Sequence, residues 1–387
     1  MKSESVPKEQ NTRAVFFRNE SRCDLWKRFA LGILFCPLLL FAATVNAADD
    51  SFLPPQTRPV STVPANGDGN PYGVAFVPPG FPTGGSANSG DVLVSNFNNA
   101  PTATGGNLQG TGTTIVDVPP NGPVSLFFQS ATPTGLTTAL NVLKKGFVLV
   151  GNFPSADGQC ADAGTGSIIV IDNNGGRVSE YTDSSVMGPW DSALYDQGAK
   201  AIYFVANALN GTIVRYVLNV GTSGVTFTQP TVIASGYQHA CDTVTFVDAP
   251  TGLVYDPSKD VLYVASTKDN AVYAVSHAAG RKDNGGTGSV IYQDSQHLHG
   301  ALGLAMAPNG HLLVTNNDAI NVTPNAVPSA LTEFTVQGEF VKQISIDPAP
   351  GGSFGLAVEN LGNGTAKLAA VDDSVNLFLI WTLKTDE

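Results

Sequence analysis

Asp191 is the residue of this chain that most invites a chemical reading. It sits in Pro189-Trp190-Asp191-Ser192-Ala193-Leu194, a short apolar segment that recurs in altered form along the sequence. The other copies are PYGVAF (71–76), PTGLTT (133–138), PTGLVY (250–255), ALGLAM (301–306) and SFGLAV (353–358). Their third positions run Gly73, Gly135, Asp191, Gly252, Gly303 and Gly355, so the aspartate breaks a glycine series. A carboxylate beside an indole has two chemical uses, as a general base or as a seat for a cation. The plainer alternative is a solvated loop acid that accepts a nearby backbone N–H. Tyr72 and Phe354 match Trp190 in their own segments, and the three rings would make an aromatic rim for carbohydrate or apolar ligands. Packing between units is the competing use of the same rings.

Histidines give a second set. Of the five (His239, His277, His297, His299 and His311), His297 and His299 form an H-x-H pair just before ALGLAM. On a strand-like segment such a pair points both rings to one side, as some zinc sites require. No third ligand stands nearby, although His239 occupies the equivalent loop of the preceding unit, so no metal is assigned. Asp191, His239 and His299 are the candidates for catalysis. His311 follows the tight turn at Asn309-Gly310 and is expected on the opposite face without a chemical role.

A third set is a series of polar residues ending a second apolar segment in each unit: Asn96, Asn152, Asn207, Ser266, Asn316 and Asp372. Amide and carboxylate oxygens in a ring suit Ca²⁺, which takes six to eight oxygens in flexible geometry. Turn capping fits better, because Asn and Asp bond nearby backbone and a metal site would break the symmetry. Nucleophile elbows, P-loops, H-E-x-x-H and C-x-x-C-H haem sites are all absent from the sequence.

The elements that hold these residues follow from the periodicity. The second segments read DVLVSN, FVLVGN, IYFVAN, VLYVAS, HLLVTN and KLAAVD; a third set reads TTIVDV, SIIVID, GTIVRYV, NAVYAVS, ALTEFTV and NLFLIWTL. A fourth is visible in several units, as PVSLFF, TVIASG, SVIYQD and FVKQISI. The glycine series repeats at intervals of 62, 56, 61, 51 and 52 residues. Four short β-branched and aromatic segments per unit, separated by turn residues, make an all-β chain: a six-bladed β-propeller of four-stranded antiparallel blades. The glycines fall on the first strand, nearest the axis, where blades converge and backbones approach. Only Lys384 to Glu387 remain after NLFLIWTL, so the last blade lacks its outer strand. The N-terminal Arg58–Val63 is the donor that closes the ring. The propeller spans 70–383, with 48–69 as the segment carrying the closing strand.

The first 47 residues differ in kind. Lys27 and Arg28 precede the apolar run Phe29 to Val45, which ends in small residues near Ala47. That pattern reads as a secretory signal peptide, the alternative being an uncleaved anchor that tethers the chain to a membrane. Without it, 13 basic residues face 28 acidic ones, a net charge of −15. Nucleic acid and anionic membrane surfaces are poor partners for such a chain. The location implied is periplasmic or extracellular, with no stable span once the leader is cut. Cys160 and Cys241 lie in long loops on one face, flanking the third blade, and are expected to form a disulfide.

The repeat resembles the NHL-repeat propellers and the related six-bladed group that includes gluconolactonases and strictosidine synthases. VLYVASTKDNAVYAV (261–275) and IYFVANALNGTIVRYV (202–217) carry the likeness most clearly. The resemblance implies the fold over residues 70–383, and it implies two kinds of function. Enzymes of the group hold a divalent metal at the axis through a Glu opening the first blade, helped by Asn and Asp of other blades. Here the first blade opens Asn70-Pro71-Tyr72-Gly73, without that Glu. The leading expectation is therefore a binding module for protein, carbohydrate or a small molecule. An extracytoplasmic lactonase- or lyase-type enzyme comes second, and a structural cell-envelope protein third.

Overall fold

The computed structural model describes residues 51–53, 59–101, 106–316 and 328–385; the expected leader lies outside them. Six four-stranded antiparallel sheets follow one another along the chain, five of them ordered from the axis outwards as their strands occur in sequence and the last completed by an N-terminal strand. The innermost strands are Gly69–Phe76, Leu136–Leu143, Pro189–Asp196, Pro250–Asp256, Ala301–Met306 and Ser353–Asn360. They open blades 1 to 6. The second strands of blades 2 and 3, Phe147–Asn152 and Lys200–Asn207, end at the polar series, and that of blade 1, Val92–Asn98, runs two residues past Asn96. No helix among the described residues is long and apolar enough to cross a membrane.

Burial falls from the axis outwards. Val92–Asn98 is buried at every position, whereas the outermost strand of blade 2, Arg177–Tyr181, is exposed along nearly all its length. A strand covered on both faces needs apolar residues throughout, which is why the second segments read as continuous runs rather than alternations.

The ring closes as expected. Pro59–Ser61 pairs antiparallel with Leu377–Lys384 as the outermost strand of blade 6, in the register Pro59 to Leu379 and Ser61 to Leu377. At that edge Pro59 gives up a ladder donor without leaving a buried partner unpaired. Just upstream, the fully buried Glu333 of blade 5 accepts the backbone N–Hs of Phe52 (3.0 Å) and Leu53 (3.1 Å). His311 contacts the same carboxylate at 2.7 Å, and Lys342 Nζ donates to the Leu53 carbonyl at 2.9 Å. His311 therefore has a structural task, anchoring the group that anchors the N-terminal segment.

Each innermost strand is bulged near its start. In blade 1 the ladder steps from Pro71–Asn96 to Val74–Val94, and blades 4, 5 and 6 skip their second and third residues alike. Gly73, Gly252, Gly303 and Gly355 all lie in this skipped stretch. A methyl group at Gly355 would collide with the Tyr72 carbonyl oxygen of the next blade, so that position is closed to side chains. Blade 2 corrects the sequence alignment. Gly135 is in the turn before the strand, at φ +58°, and the skipped residues are Thr137, Thr138 and Ala139. Blade 3 is the exception: only Trp190 is skipped, and Asp191 is back in the ladder opposite Ala206.

Candidate functional site

The rings expected at a rim are buried against one another. Tyr72 stacks on Phe354 with centroids 4.1 Å apart and on Phe97 at 4.5 Å; Trp190 meets Phe97 edge-on at 5.4 Å. Phe153 and Phe246 complete the group, each edge-on to its neighbour at 5.3 Å. Tyr72, Trp190 and Phe354 are 2%, 0% and 5% exposed, so they form a plug across the axis where the innermost strands begin. Ring edges meeting ring faces is the favourable arrangement of aromatic quadrupoles.

Three of these six rings were not singled out from sequence. Phe97 and Phe153 directly follow Asn96 and Asn152, a repeated Asn-Phe signal that could have found them. Phe246 left no such trace. It belongs to a small hairpin, Ala240–Asp242 with Phe246–Asp248, inserted between blades 3 and 4. The Val247 N–H donates to the Thr245 carbonyl at 2.9 Å across Phe246, whose φ is +68°. A phenylalanine in that region is strained and must be held from outside. Asp242 steadies the turn by accepting the N–Hs of Val244 (2.7 Å) and Thr245 (2.9 Å). The expected disulfide is present: Cys241 on this hairpin is bonded to Cys160, with Cα atoms 5.4 Å apart.

Below the plug the axis is open. A cavity of about 560 Å³ runs to the opposite face, where the innermost strands turn back into the second strands. Leu140, Leu253, Leu304, Leu356 and Val74 form its wall, and Lys144, Tyr195, Asp196 and Tyr255 lie at its mouth. Asp191 and Ser192, directly after Trp190, line its deep end with Asn141 and Thr138 of the preceding blade. Asp191 was read beside an aromatic rim or as a solvated loop acid. The structure places it instead in a shaft that opens on the other side.

The shaft's polar end is tightly organised. The Ser192 N–H donates to Asp191 Oδ1 at 2.6 Å, and the Leu253 N–H of the next blade donates to the same carboxylate. Burial outweighs both donors and holds the Asp191 carboxyl well above the usual carboxylate range. The Ser192 hydroxyl donates to Asn141 Oδ1 at 2.8 Å, and the Thr138 hydroxyl to the Trp190 carbonyl at 2.5 Å. Thr137 bonds the Pro189 carbonyl at 2.8 Å in the same way. These side chains bridge blades 2, 3 and 4, whose innermost backbones do not pair with each other.

The remaining candidates do not join Asp191. His239 is exposed and contacts the Tyr237 carbonyl at 3.2 Å. His299 is buried, its ring against the Gln296 carbonyl at 3.1 Å and its N–H on Asn316. His297 stacks on Phe340 at 3.8 Å and contacts Asp294 at 2.8 Å. The segment is not a strand, so the two rings of the H-x-H pair do not share a side. No histidine lines the axial cavity.

The polar series caps turns locally. Asn96, Asn207 and Asn316 each donate to a threonine on the third strand of their own blade, at 3.1, 3.1 and 3.0 Å, and Asn152 does so to Ser167. Asn207 and Asn316 also accept the Met187 and His299 N–Hs of their own entry loops, and Ser266 bonds Asp269 at 2.7 Å. Asp372 instead lies beside Asp347, and burial and that neighbour raise its carboxyl to about 7. All six are at most 4% exposed. The Asn207 and Asn316 oxygens expected for Ca²⁺ are thus taken up by backbone N–Hs. Among the described residues no three His, Cys, Asp or Glu side chains are grouped to hold a metal ion. At the place of the group's Glu, Asn70 donates to Asp373 at 3.2 Å. These residues do not fit the axial metal that the resemblance implies.

No protein-family model matches the chain, and no curated protein sequence matches it. Solved structures do. A gluconolactonase from Xanthomonas campestris is 12% identical, with 84% of this chain and 89% of that chain covered at a TM-score of 0.50. A structural-genomics target provisionally assigned as a gluconolactonase is also 12% identical, covering 86% and 95% at 0.52. Regucalcin from Agrobacterium tumefaciens, a calcium-binding protein, is 14% identical over 84% and 94% at 0.49. At these identities the likeness is one of fold: the chain is a six-bladed β-propeller of the kind seen in gluconolactonases.

Proposed function

We propose that the protein is an exported binding propeller that takes a small ligand into its axial cavity from the face opposite the aromatic plug. One observation carries this reading: six packed rings fill one end of the axis, and about 560 Å³ lined by both aliphatic and polar side chains opens at the other. A concave apolar space with a few convergent polar groups is the usual form of a small-molecule site. The disulfide and the leader expected over 1–47 support a mature protein in the periplasm or outside the cell. Hydrolytic chemistry of the lactonase type finds less support, because His239 and His299 stand outside the cavity.

N-phenyl-1-naphthylamine, a neutral apolar fluorophore, tests the site. Its emission should rise on adding the protein and saturate at one equivalent. Leu304→Trp, which fills the shaft, should abolish the rise. Equal enhancement by parent and variant would place the ligand elsewhere. The same preparation should not accelerate hydrolysis of glucono-lactone, with or without added divalent cations; turnover would restore the enzymatic reading.

A further inference from the structure

The deep end of the cavity has an unusual hydrogen-bonding balance. Both hydroxyls there spend their protons on the protein, Ser192 on Asn141 Oδ1 and Thr138 on the Trp190 carbonyl. The Asn141 amide nitrogen spends a hydrogen on the Leu140 carbonyl at 2.8 Å. What the hydroxyls have left is lone pairs, and Asp191 adds a carboxylate. No cation pairs with Asp191 among the described residues. Beyond this end Leu140, Leu253, Leu304, Leu356 and Val74 offer aliphatic surface among the polar groups.

A ligand that completes this arrangement must bring donors and positive charge to its tip and apolar surface along its body. We propose that the axial cavity binds an amine, an ammonium group on an apolar body, with the nitrogen seated against Asp191, Ser192 and Thr138. The inference rests on the axial cavity being the ligand site. An ammonium carries three donors and no acceptor, the complement of what the deep end offers. A carboxylate ligand would meet the lone pairs of Ser192 and Thr138, whose protons are already committed, and gains nothing from expelling the Asp191 proton. Neutral alcohols gain the apolar wall but leave Asp191 uncompensated. The net charge of −12 on the whole chain favours the approach of a cation.

Ionisation gives the binding a proton signature. The other titratable groups near Asp191 are Tyr203 behind Ser192 and, towards the mouth, Lys144, Asp196, Tyr195 and Tyr255. Burial holds the Asp191 carboxyl protonated beyond the usual range. Seating an ammonium there expels that proton, so amine affinity rises with pH until the amine itself loses its charge.

Isothermal titration of the purified mature chain with 4-phenylbutylamine, 4-phenylbutanol and 4-phenylbutyrate tests this, run in two buffers of different ionisation enthalpy. The amine should bind more than about tenfold tighter than the alcohol, the margin expected for a hydrogen-bonded charge, and should release a proton. Asp191→Asn should erase that margin, and a melting temperature equal to the parent's near pH 4 shows that the variant is folded. An amine no tighter than the alcohol, or a preference that survives in Asp191→Asn, overturns the proposal and leaves the cavity as the ligand site. Failure of all three ligands to bind overturns both readings.

Discussion

At the scale of single residues, the account turns on a carboxyl in an apolar shaft. Its folded-state pKa lies above that of the unfolded chain, so the folded protein keeps a proton that the unfolded chain has released. Stability contributed by the neutral form is therefore lost as pH rises, by about 1.4 kcal/mol for each unit of the shift. Asn can accept the same two backbone N–Hs without any charge. Asp191→Asn should match the parent in melting temperature near pH 4 and exceed it increasingly towards pH 8. A difference independent of pH would show that Asp191 is not desolvated. The sequence exposed this residue because it broke the glycine series, yet it could not show which way the shaft opens. That direction is set by Phe97, Phe153 and Phe246, and one of them comes from a hairpin that no repeat announces.

At the scale of elements, two features position the site. The first is the bulge that shifts each innermost strand, and it makes Gly355 intolerant of a side chain. Gly355→Ala should cost about 3 kcal/mol, the upper range for overpacking, as measured by urea unfolding. The second is the disulfide-bound hairpin that lays Phe246 on the plug. Removing the bond with Cys160→Ser and Cys241→Ser should cost about 4 kcal/mol, since it closes a long loop, the two cysteines being 81 residues apart. The same variant should shift the emission of Trp190, 0% exposed in the parent, towards longer wavelength as water reaches the plug. Unchanged emission would mean that the hairpin holds itself. The disulfide was legible because the repeat put both loops on one face. The bulges were not, and so Gly135 was aligned four residues ahead of Ala139, its ladder equivalent: a hydrophobic period cannot register one extra residue inside a strand.

At the scale of the whole molecule, the ring and its charge decide behaviour. The closing strand was readable from a shortfall, one blade lacking its fourth strand, and Pro59–Ser61 supplies it. Acidity enters through burial: Asp117 and Asp372 are raised to about 7, and Asp191 and Asp373 well above the usual range. Between about pH 4 and 7 the folded chain thus binds more protons than the unfolded one, and stability falls as pH rises through that window. Asp294, lowered to about 2 chiefly by the Tyr292 hydroxyl and the His297 N–H against the cost of its burial, acts oppositely but only below pH 4. Calorimetry should find the highest melting temperature near pH 4 and a clear decline by pH 8; a maximum above pH 7 would contradict the burial of these acids. The central claim, that ligand enters the axis from the unplugged face, is tested most directly by crystallography with 4-(4-bromophenyl)butylamine. The anomalous bromine peak should lie among Leu140, Leu253, Leu304 and Leu356, with the amine nitrogen at Asp191. A peak on the other face, over Tyr72, Trp190 and Phe354, would contradict it.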